Sequence, residues 1–170
     1  MKKVYIIGGT MGVGKTTVCQ ELKKRLPASV FLDGDWCWDM NPFQVTDETK
    51  KMVHENISFL LNQFIHCSAY ENIIFCWVMH EQGIIDAIVN SLAAGNCEVR
   101  TFSLVCDEAT LRERLQKDVA GGLRSEDIIS RSVARIPLYE NLNTVKIDTT
   151  GKNIGEIRDA VIAEFKTDEK

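Results

Sequence analysis

Short apolar stretches and longer amphipathic stretches alternate along this chain of 170 residues. The apolar stretches are rich in β-branched residues, which is typical of buried strands. The amphipathic stretches repeat their apolar positions every three to four residues, which is typical of helices. The pattern predicts strands at residues 4–7, 30–32, 72–78, 99–105 and 145–147. It predicts helices at residues 15–26, 46–66, 82–94, 108–119, 125–141 and 154–165.

Local signals mark several of the predicted helix ends. Thr46 precedes two acidic residues, and acidic groups stabilise the positive end of a helix dipole, so we expect a helix to begin there. Pro27 closes the first helix, and Gly95 suits the left-handed position that follows the third. The pair Gly121-Gly122 interrupts the pattern between the fourth and fifth helices.

Alternation of strands and helices at this spacing predicts parallel strands joined by crossover helices, and therefore a three-layer α/β/α sandwich. No repeat or low-complexity linker divides the sequence, so we expect one domain over residues 1–170. Ligands of such sheets bind at the carboxyl ends of the strands. We therefore expect residues 8–16, 33–35, 77–80 and 106–107 to face one crevice.

Composition and charge narrow the class of protein. The chain is 45% apolar and 26% charged, as is ordinary for a globular protein. Its net charge of −4 argues against a nucleic-acid partner, because such proteins usually carry a basic excess. No apolar stretch approaches the length that spans a membrane, and the apolar run at the N-terminus ends at Gly8, so we expect no signal peptide. The six cysteines and three histidines match no zinc-site spacing. We expect a cytoplasmic protein with reduced thiols and no membrane partner.

A phosphate-binding loop lies between the first predicted strand and the first predicted helix. The pattern G-x-x-x-x-G-K-[ST] is met in full at residues 9–16. Glycines let successive backbone N–H groups point at phosphate oxygens, while Lys15 would bridge the β- and γ-phosphates and the Thr16 hydroxyl would ligate Mg²⁺. We expect Mg·ATP as the ligand. The predicted nucleotide contacts are Gly9, Thr10, Met11, Gly12, Val13, Gly14, Lys15, Thr16 and Thr17.

Two carboxylates, Asp33 and Asp35, follow the second predicted strand. Residues i and i+2 project to the same side of an extended backbone, so both can enter one site beside the phosphate-binding loop. One can support Mg²⁺ through its water shell, and the other can take a proton from an attacking hydroxyl. The alternative is an Asp-Gly turn with a solvated second aspartate. Trp36 and Trp38 either roof a substrate pocket or pack within the protein.

Arginines are concentrated in and after the Gly121-Gly122 break. Phosphoryl transfer needs cations near the migrating group, and a supplied arginine is worth roughly 10³–10⁵ in rate. The glycine pair provides a joint for a lid that closes over the nucleotide. Arg131 and Arg135 are four residues apart, which predicts that they share one helix face, and they precede an apolar run. Surface ion pairs are the alternative, and they fit Arg112 better than these two.

The sequence resembles the small P-loop kinases, in particular those similar to shikimate kinase. The resemblance lies in the loop at residues 9–16, the pair Asp33 and Asp35, and the segments 111–115 and 135–140. The organisation is also similar to gluconate kinases, chloramphenicol phosphotransferases and small AAA-type P-loop ATPases. The resemblance implies a five-stranded parallel sheet of order 2-3-1-4-5 and a mobile lid at about residues 117–131.

The resemblance also implies roles for individual side chains. Asp33 would support Mg²⁺ and touch the substrate, and Asp35 would be the partner and base of the substrate hydroxyl. Arg114 would lie against the adenine. Arg124 would be the catalytic arginine of the lid, acting together with Lys15, and Arg135 would hold the acceptor.

The chain departs from shikimate kinases after the third predicted strand. Where they have a glycine-rich stretch for the acceptor, this chain has Phe-Cys-Trp-Val-Met-His at residues 75–80. We therefore expect a bulkier, more apolar pocket and an acceptor other than shikimate. His80 would contact the acceptor or cap a helix in solvent, and Trp36 and Arg131 complete the predicted acceptor contacts.

These features predict a kinase that moves the γ-phosphoryl group of ATP to a hydroxyl of a small molecule. A second hypothesis is a nucleoside, nucleotide or polynucleotide 5′-kinase, because Trp36, Trp38 and Trp77 could stack a base. The absence of a basic surplus makes a long polyanion less attractive as an acceptor. A third hypothesis is an ATP-binding regulatory protein that transfers nothing.

Overall fold

The computed structural model describes residues 1–165 and contains a five-stranded parallel sheet of order β2-β3-β1-β4-β5, which confirms the predicted fold. The strands are β1 (Lys2–Gly8), β2 (Ser29–Asp33), β3 (Asn72–Cys76), β4 (Cys97–Val105) and β5 (Val145–Asp148). The helices are α1 (Lys15–Arg25), α2 (Asp47–His66), α3 (Gln82–Asn90), α4 (Glu108–Ala120), α5 (Asp127–Val133) and α6 (Ile154–Glu164). Short 3₁₀ turns occupy Gly34–Trp38 and Ile136–Tyr139.

Two apolar cores lie on opposite faces of the sheet, because alternate residues of a strand point to opposite sides. On β1, Tyr5 and Ile7 pack with residues of α1, α4 and α6. Val4 and Ile6 of the same strand pack with α2 and α3. All four side chains are almost completely buried, so the central strand is covered on both faces. None of the helices within residues 1–165 is long and apolar enough to cross a membrane.

The register of the three strands β1, β2 and β3 brings their carboxyl ends to one level. Cys76, the last residue of β3, pairs with Ile7 of β1 on one side and with Asp33 of β2 on the other. The loop that follows β1 and the acidic segment that follows β2 therefore begin at the same level, with one strand between them. The segment after β3, which starts at Trp77, begins between them.

Helix α2 begins where the sequence predicts. The Thr46 hydroxyl accepts a hydrogen bond from the backbone N–H of Thr49, and the Thr49 hydroxyl accepts one from the N–H of Thr46. This reciprocal cap satisfies two backbone donors that a helix start would otherwise leave without partners. The buried face of the helix consists of Val53, Ile57, Leu61 and Ile65.

The helix predicted at residues 82–94 was wrong at its C-terminal end. Helix α3 ends at Asn90 rather than at residue 94, and Gly95 does not adopt a positive φ. The Ser91 hydroxyl donates to the Ile88 carbonyl, and the Asn62 side chain bonds the Ser91 carbonyl and the Ala93 N–H. These side chains satisfy the backbone groups that another helical turn would have used.

The helix predicted at residues 125–141 is divided in two. Helix α5 ends at Val133, and a 3₁₀ turn follows from Ile136 to Tyr139. Pro137 lacks the backbone N–H that a continuous α-helix needs and disfavours helical geometry at the residue before it. Arg135 lies two residues beyond the end of α5, outside the regular helix that carries Arg131.

Candidate active site

The loop between β1 and α1 has the backbone shape that a phosphate-binding loop requires. Gly9, Gly12 and Gly14 have φ values of 151°, 81° and 102°, in the region that favours glycine. The Lys15 ammonium donates to the Thr10 carbonyl at 3.1 Å, so it lies over the loop rather than in solvent. A lysine above a ring of backbone N–H groups at a helix N-terminus is suited to binding a polyphosphate.

Helix α4 packs directly against this loop at Gly12. A Cβ built on Gly12 would lie 2.5 Å from Cδ2 and 2.7 Å from Cγ of Leu115, which is closer than real contacts allow. Leu115 is completely buried, so it has little room to move. A Cβ built on Gly14 would meet no heavy atom within 4 Å. The two glycines therefore share a positive φ but differ in the space around them.

We expect Gly12→Ala to destabilise the protein more than Gly14→Ala does. Both variants incur about 1–2 kcal/mol for an L-residue in left-handed backbone. Gly12→Ala adds roughly 1–3 kcal/mol because its methyl group overpacks the contact with Leu115. Urea unfolding of the two variants and the parent measures the difference. Equal losses of unfolding free energy would contradict the close contact between α4 and the loop.

Two further side chains fix the loop in place. The buried Thr10 hydroxyl donates to the Ser132 carbonyl of α5 at 3.0 Å. The Arg114 guanidinium donates to the Val13 carbonyl at 3.2 Å, to the Thr149 hydroxyl at 3.0 Å and to the Thr149 carbonyl at 2.9 Å. Arg114 thereby joins α4, the loop and the segment after β5. Its rigid fork of donors suits this task better than a lysine would.

Asp33 faces the start of α1 from the end of β2. Its buried carboxylate accepts a hydrogen bond from the Thr16 hydroxyl at 2.7 Å and another from the Asp35 backbone N–H at 3.1 Å. The predicted pair of Thr16 and Asp33 is therefore in direct contact. An adjacent hydroxyl and carboxylate are oxygen donors of the kind that Mg²⁺ prefers.

Two cavities meet beside these residues. The first, which we call the P-loop cavity, has a volume of about 580 Å³. Its wall includes residues 11–17 of the loop, Arg114 of α4, and Arg124 from the segment between α4 and α5. Lys117 and Asp118 of α4 and Lys152, Asn153, Ile154 and Ile157 close the far side. Gly9 and Thr10 lie behind this wall.

The second cavity, which we call the tryptophan cavity, is larger, at about 930 Å³. Its aromatic wall is formed by Trp36, Trp38, Phe43 and Trp77. His54, His80 and Arg135 are polar members of the wall and are half-buried. Trp77, Val78 and His80, which follow β3, all line this cavity.

Asp35 lines both cavities, as does Met11. The pKa of the Asp35 carboxyl is raised, first by desolvation and then by the nearby Asp33 carboxylate, while Lys15 and Arg124 oppose the rise. The pKa of Lys15 is lowered because desolvation outweighs its attraction to the two aspartates. Asp35 is therefore a carboxylate whose proton affinity exceeds that of an ordinary surface aspartate.

Arg124 approaches the phosphate-binding loop from the segment between α4 and α5. Its guanidinium pairs with Asp118 at 3.1 Å and lies 3.9 Å from the Met11 sulfur. The segment that carries it follows Gly122, which has a positive φ of 70°. A cation is thereby held over the P-loop cavity by the predicted lid segment.

Arg131 and Arg135 have different environments, contrary to the sequence prediction. Arg131 is exposed, pairs with Asp127 at 2.9 Å and lines neither cavity. Arg135 lies beyond the end of α5 and lines the tryptophan cavity. The pKa of His80 is lowered first by burial and then by the nearby Arg135 guanidinium. The predicted acceptor role of Arg131 is not supported by this placement. Cys106 and Asp107 also line neither cavity, although they follow β4 as expected.

Trp77 is the contact that sequence reasoning missed. A Cβ built on Gly34 would lie 2.6 Å from Cγ of the Trp77 indole, so the ring lies directly on the backbone between the two aspartates. The indole also lies near the Asp35 carboxyl and works against the rise of its pKa that burial and Asp33 cause. A glycine between Asp33 and Asp35 signals a turn, and nothing local to it indicates which ring will cover it.

The sequence model of a family described as AAA domain matches residues 6–129. This range contains the loop, both aspartates, Trp77 and Arg124. The chain belongs to the AAA domain family. Its P-loop and its family together imply that this AAA domain binds a nucleotide. Comparison with curated protein sequences gives no match.

Solved structures similar to this AAA domain include several kinases. A gluconokinase from Sinorhizobium meliloti 1021 has a TM-score of 0.69 at 17% identity, covering 96% of this chain and 91% of that one. A tunicamycin resistance protein from Deinococcus radiodurans has a TM-score of 0.72 at 16% identity, with 97% and 96% covered. A sugar kinase from Janibacter sp. HTCC2649 has a TM-score of 0.71 at 13% identity, with 99% and 96% covered. At these identities the likeness concerns the fold.

Proposed function

We propose that the chain is an ATP-dependent kinase that transfers the γ-phosphoryl group to a hydroxyl of a small-molecule acceptor. The observation that carries the proposal is that Asp35 lines both cavities. A nucleotide whose phosphates occupy the loop would direct its γ-phosphate toward that carboxylate. An acceptor in the tryptophan cavity would meet the same carboxylate from the other side.

In this proposal each polar side chain has one task. Asp35 takes the proton of the acceptor hydroxyl as the oxygen forms a bond to the γ-phosphorus. The bond between that phosphorus and the β–γ bridging oxygen breaks, and its electron pair stays with ADP. Lys15 and Arg124 offset negative charge on the transferring group, and Arg114 fixes the loop and the wall of the adenine side. Arg135 and His80 would hold the acceptor.

Magnesium fits the residues that are present. Within residues 1–165, no three His, Cys, Asp or Glu side chains could hold a metal together. Mg²⁺ usually takes only one or two protein oxygens and completes its shell with phosphates and water. The Thr16 hydroxyl would be a direct ligand, and Asp33 would hold a bound water. When present, the ion would neutralise charge on the β- and γ-phosphates.

A screen for acceptor-stimulated ADP release tests the proposal. Hydroxylated metabolites, sugars, nucleosides, aminoglycosides and phenicol-like compounds are each added to protein with Mg·ATP. We expect at least one to raise ADP release above the rate in water alone and to gain one phosphoryl group by mass spectrometry. A regulatory ATP-binding protein would instead hydrolyse ATP slowly at a rate that no acceptor changes.

A further inference from the structure

The tryptophan cavity gathers a large share of the chain's aromatic surface. The chain has three tryptophans, and all three line this cavity. Phe43 lies beside Trp38 with a centroid separation of 5.8 Å, and Trp36 packs edge-on against Phe31 at 5.3 Å. Aromatic contacts of this kind hold the rings in fixed orientations. The wall is therefore a set of positioned aromatic faces.

Part of this aromatic wall is open to solvent. Trp36 is 55% exposed, Phe43 is 67% exposed and Val45 is 54% exposed, and all three line the same cavity. Single exposed apolar side chains are common, whereas several that converge on one concave surface mark a binding site. A ligand with an apolar body would remove this surface from water.

Few polar groups in the inner wall could satisfy a polyol. Asp39, Lys50 and Glu81 are exposed at the mouth of the cavity and Asp35 is exposed where it adjoins the P-loop cavity, which leaves the half-buried His54, His80 and Arg135. Each hydroxyl of a sugar that enters an apolar wall without a partner costs about 1–3 kcal/mol. A flat ring presents two faces that need no hydrogen bonds.

Trp77 joins the aromatic wall to the proposed base. Its indole lies on Gly34, between Asp33 and Asp35, and Trp77 and Asp35 line the same cavity. A ring stacked in the cavity beside Trp77 would therefore place a hydroxyl on a short side arm next to Asp35. The aromatic wall at Trp77 would then both bury the ring and position the hydroxyl.

We infer that the acceptor is an aromatic alcohol, in which a flat ring carries a hydroxyl on a side arm, rather than a free sugar or another polyol without a ring to stack. The inference rests on the proposed function, because it takes the tryptophan cavity as the acceptor site. Simple aryl alcohols have this chemistry outright, and nucleosides share the flat ring and a primary hydroxyl while carrying further ribose hydroxyls. A polynucleotide is not favoured, because the charges exposed at the mouth of the cavity are two carboxylates, Asp39 and Glu81, and one ammonium group, Lys50.

Intrinsic tryptophan fluorescence tests the inference, because every tryptophan of the chain reports on this cavity. The probes are 2-phenylethanol and 4-(hydroxymethyl)benzyl alcohol as aryl alcohols, uridine and cytidine as nucleosides, and glucose and gluconate as polyols. Each is titrated into the full chain with Mg·ADP, and ADP release is measured in parallel with Mg·ATP. We expect saturable quenching and stimulated ADP release with one aromatic group and neither with the polyols.

Variants at Trp36 supply the control within the cavity. Trp36→Ala is expected to weaken binding of the active aromatic probe by about 5- to 100-fold, the range seen when a stacking partner is removed. Trp36→Phe keeps a ring and should retain most of the affinity. Phe59→Ala is the matched control, because Phe59 is 62% exposed on α2 and does not line the cavity.

The outcomes separate the inference from the proposed function. Phosphorylation of a polyol, with no binding of either aromatic group, would overturn the inference and leave the kinase proposal standing. Quenching by an aromatic probe without stimulated ADP release from any compound would support the ligand class and contradict the kinase proposal. Equal affinity of Trp36→Ala and the parent for the active probe would overturn the inference.

Discussion

Replacing Asp35 with asparagine should lower acceptor-stimulated ADP release by roughly 10²–10⁴-fold, the range that a general base contributes. Asparagine keeps the size and shape of the side chain. It cannot take the proton of the acceptor hydroxyl. Nucleotide affinity should change little, because the loop, Lys15 and Thr16 are untouched.

The pH dependence of the parent enzyme supplies a second measurement on the same group. Desolvation and Asp33 raise the pKa of Asp35. A base must be ionised to act, so the rate should fall as the pH drops through this raised pKa. The acid limb of kcat/KM should therefore lie above the ordinary aspartate value of about 3.9. In the Asp35→Asn variant this limb should be absent from the residual rate.

The unfolding temperature shows whether Asp35→Asn loses activity because the base is missing or because the protein is unfolded. A carboxyl whose folded pKa is raised contributes stability below its unfolded pKa and loses that contribution as the pH rises through the folded value. At neutral pH the ionised Asp35 therefore favours the folded state less than a neutral group would. Asp35→Asn should unfold at the same temperature as the parent or at a higher one.

A matched control is Asp127→Asn, which removes a carboxylate that lines neither cavity and pairs with Arg131. It should retain the parent rate. Full activity of Asp35→Asn with the acceptor found in the screen would exclude Asp35 as the base. Equal losses in both variants would point to a general effect of charge rather than to proton transfer.

The loop, the strands and the aspartate pair could be predicted because their signals are local. The glycine spacing of the loop, the apolar run of each strand and two acidic residues within three positions are each signals that indicate their own local structure. The side-by-side placement of Asp33 and the loop follows from strand register, and the strand order came from the resemblance to known kinases. Local sequence patterns and the resemblance to known kinases were together sufficient to predict the nucleotide side of the site, which consists of the loop and the two aspartates.

The other half depends on contacts that sequence spacing does not encode. Trp77 meets Gly34 across β3 and β2, and neither residue carries a signal for the other. Arg131 and Arg135 were expected on one helix face because they are four residues apart. The α5 helix ends at Val133, before Arg135, and of the two arginines Arg135 alone lines the tryptophan cavity.

Replacing Lys15 with methionine should abolish most transfer and weaken nucleotide binding at the same time. Removal of one preorganised donor to a developing charge costs roughly 10²–10³ in kcat. Unlike Asp35, Lys15 would also contact the ground-state phosphates, so its loss affects affinity as well. Isothermal titration with Mg·ADP and the ADP release assay measure the two effects separately.

The unliganded Lys15→Met protein should nevertheless be at least as stable as the parent. The pKa of Lys15 is lowered, because desolvation outweighs the attraction of Asp35 and Asp33. When folding lowers the pKa of a lysine, the folded state binds fewer protons than the unfolded state. The charged ammonium therefore destabilises the folded state at neutral pH, and this destabilisation is lost as the pH rises through the folded pKa. Methionine has similar length and carries no charge to desolvate.

Bound nucleotide should reverse this order of stability. A ligand at 100 times its Kd stabilises the folded state by about 2.7 kcal/mol, which the parent should gain from Mg·ATP and the variant should largely lose. Lys24→Met is the matched control, because Lys24 lies on the same helix and pairs with Glu21 in solvent. It should keep the full shift in melting temperature. A Lys15→Met protein that Mg·ATP stabilises as strongly as the parent would show that the phosphates bind without this lysine.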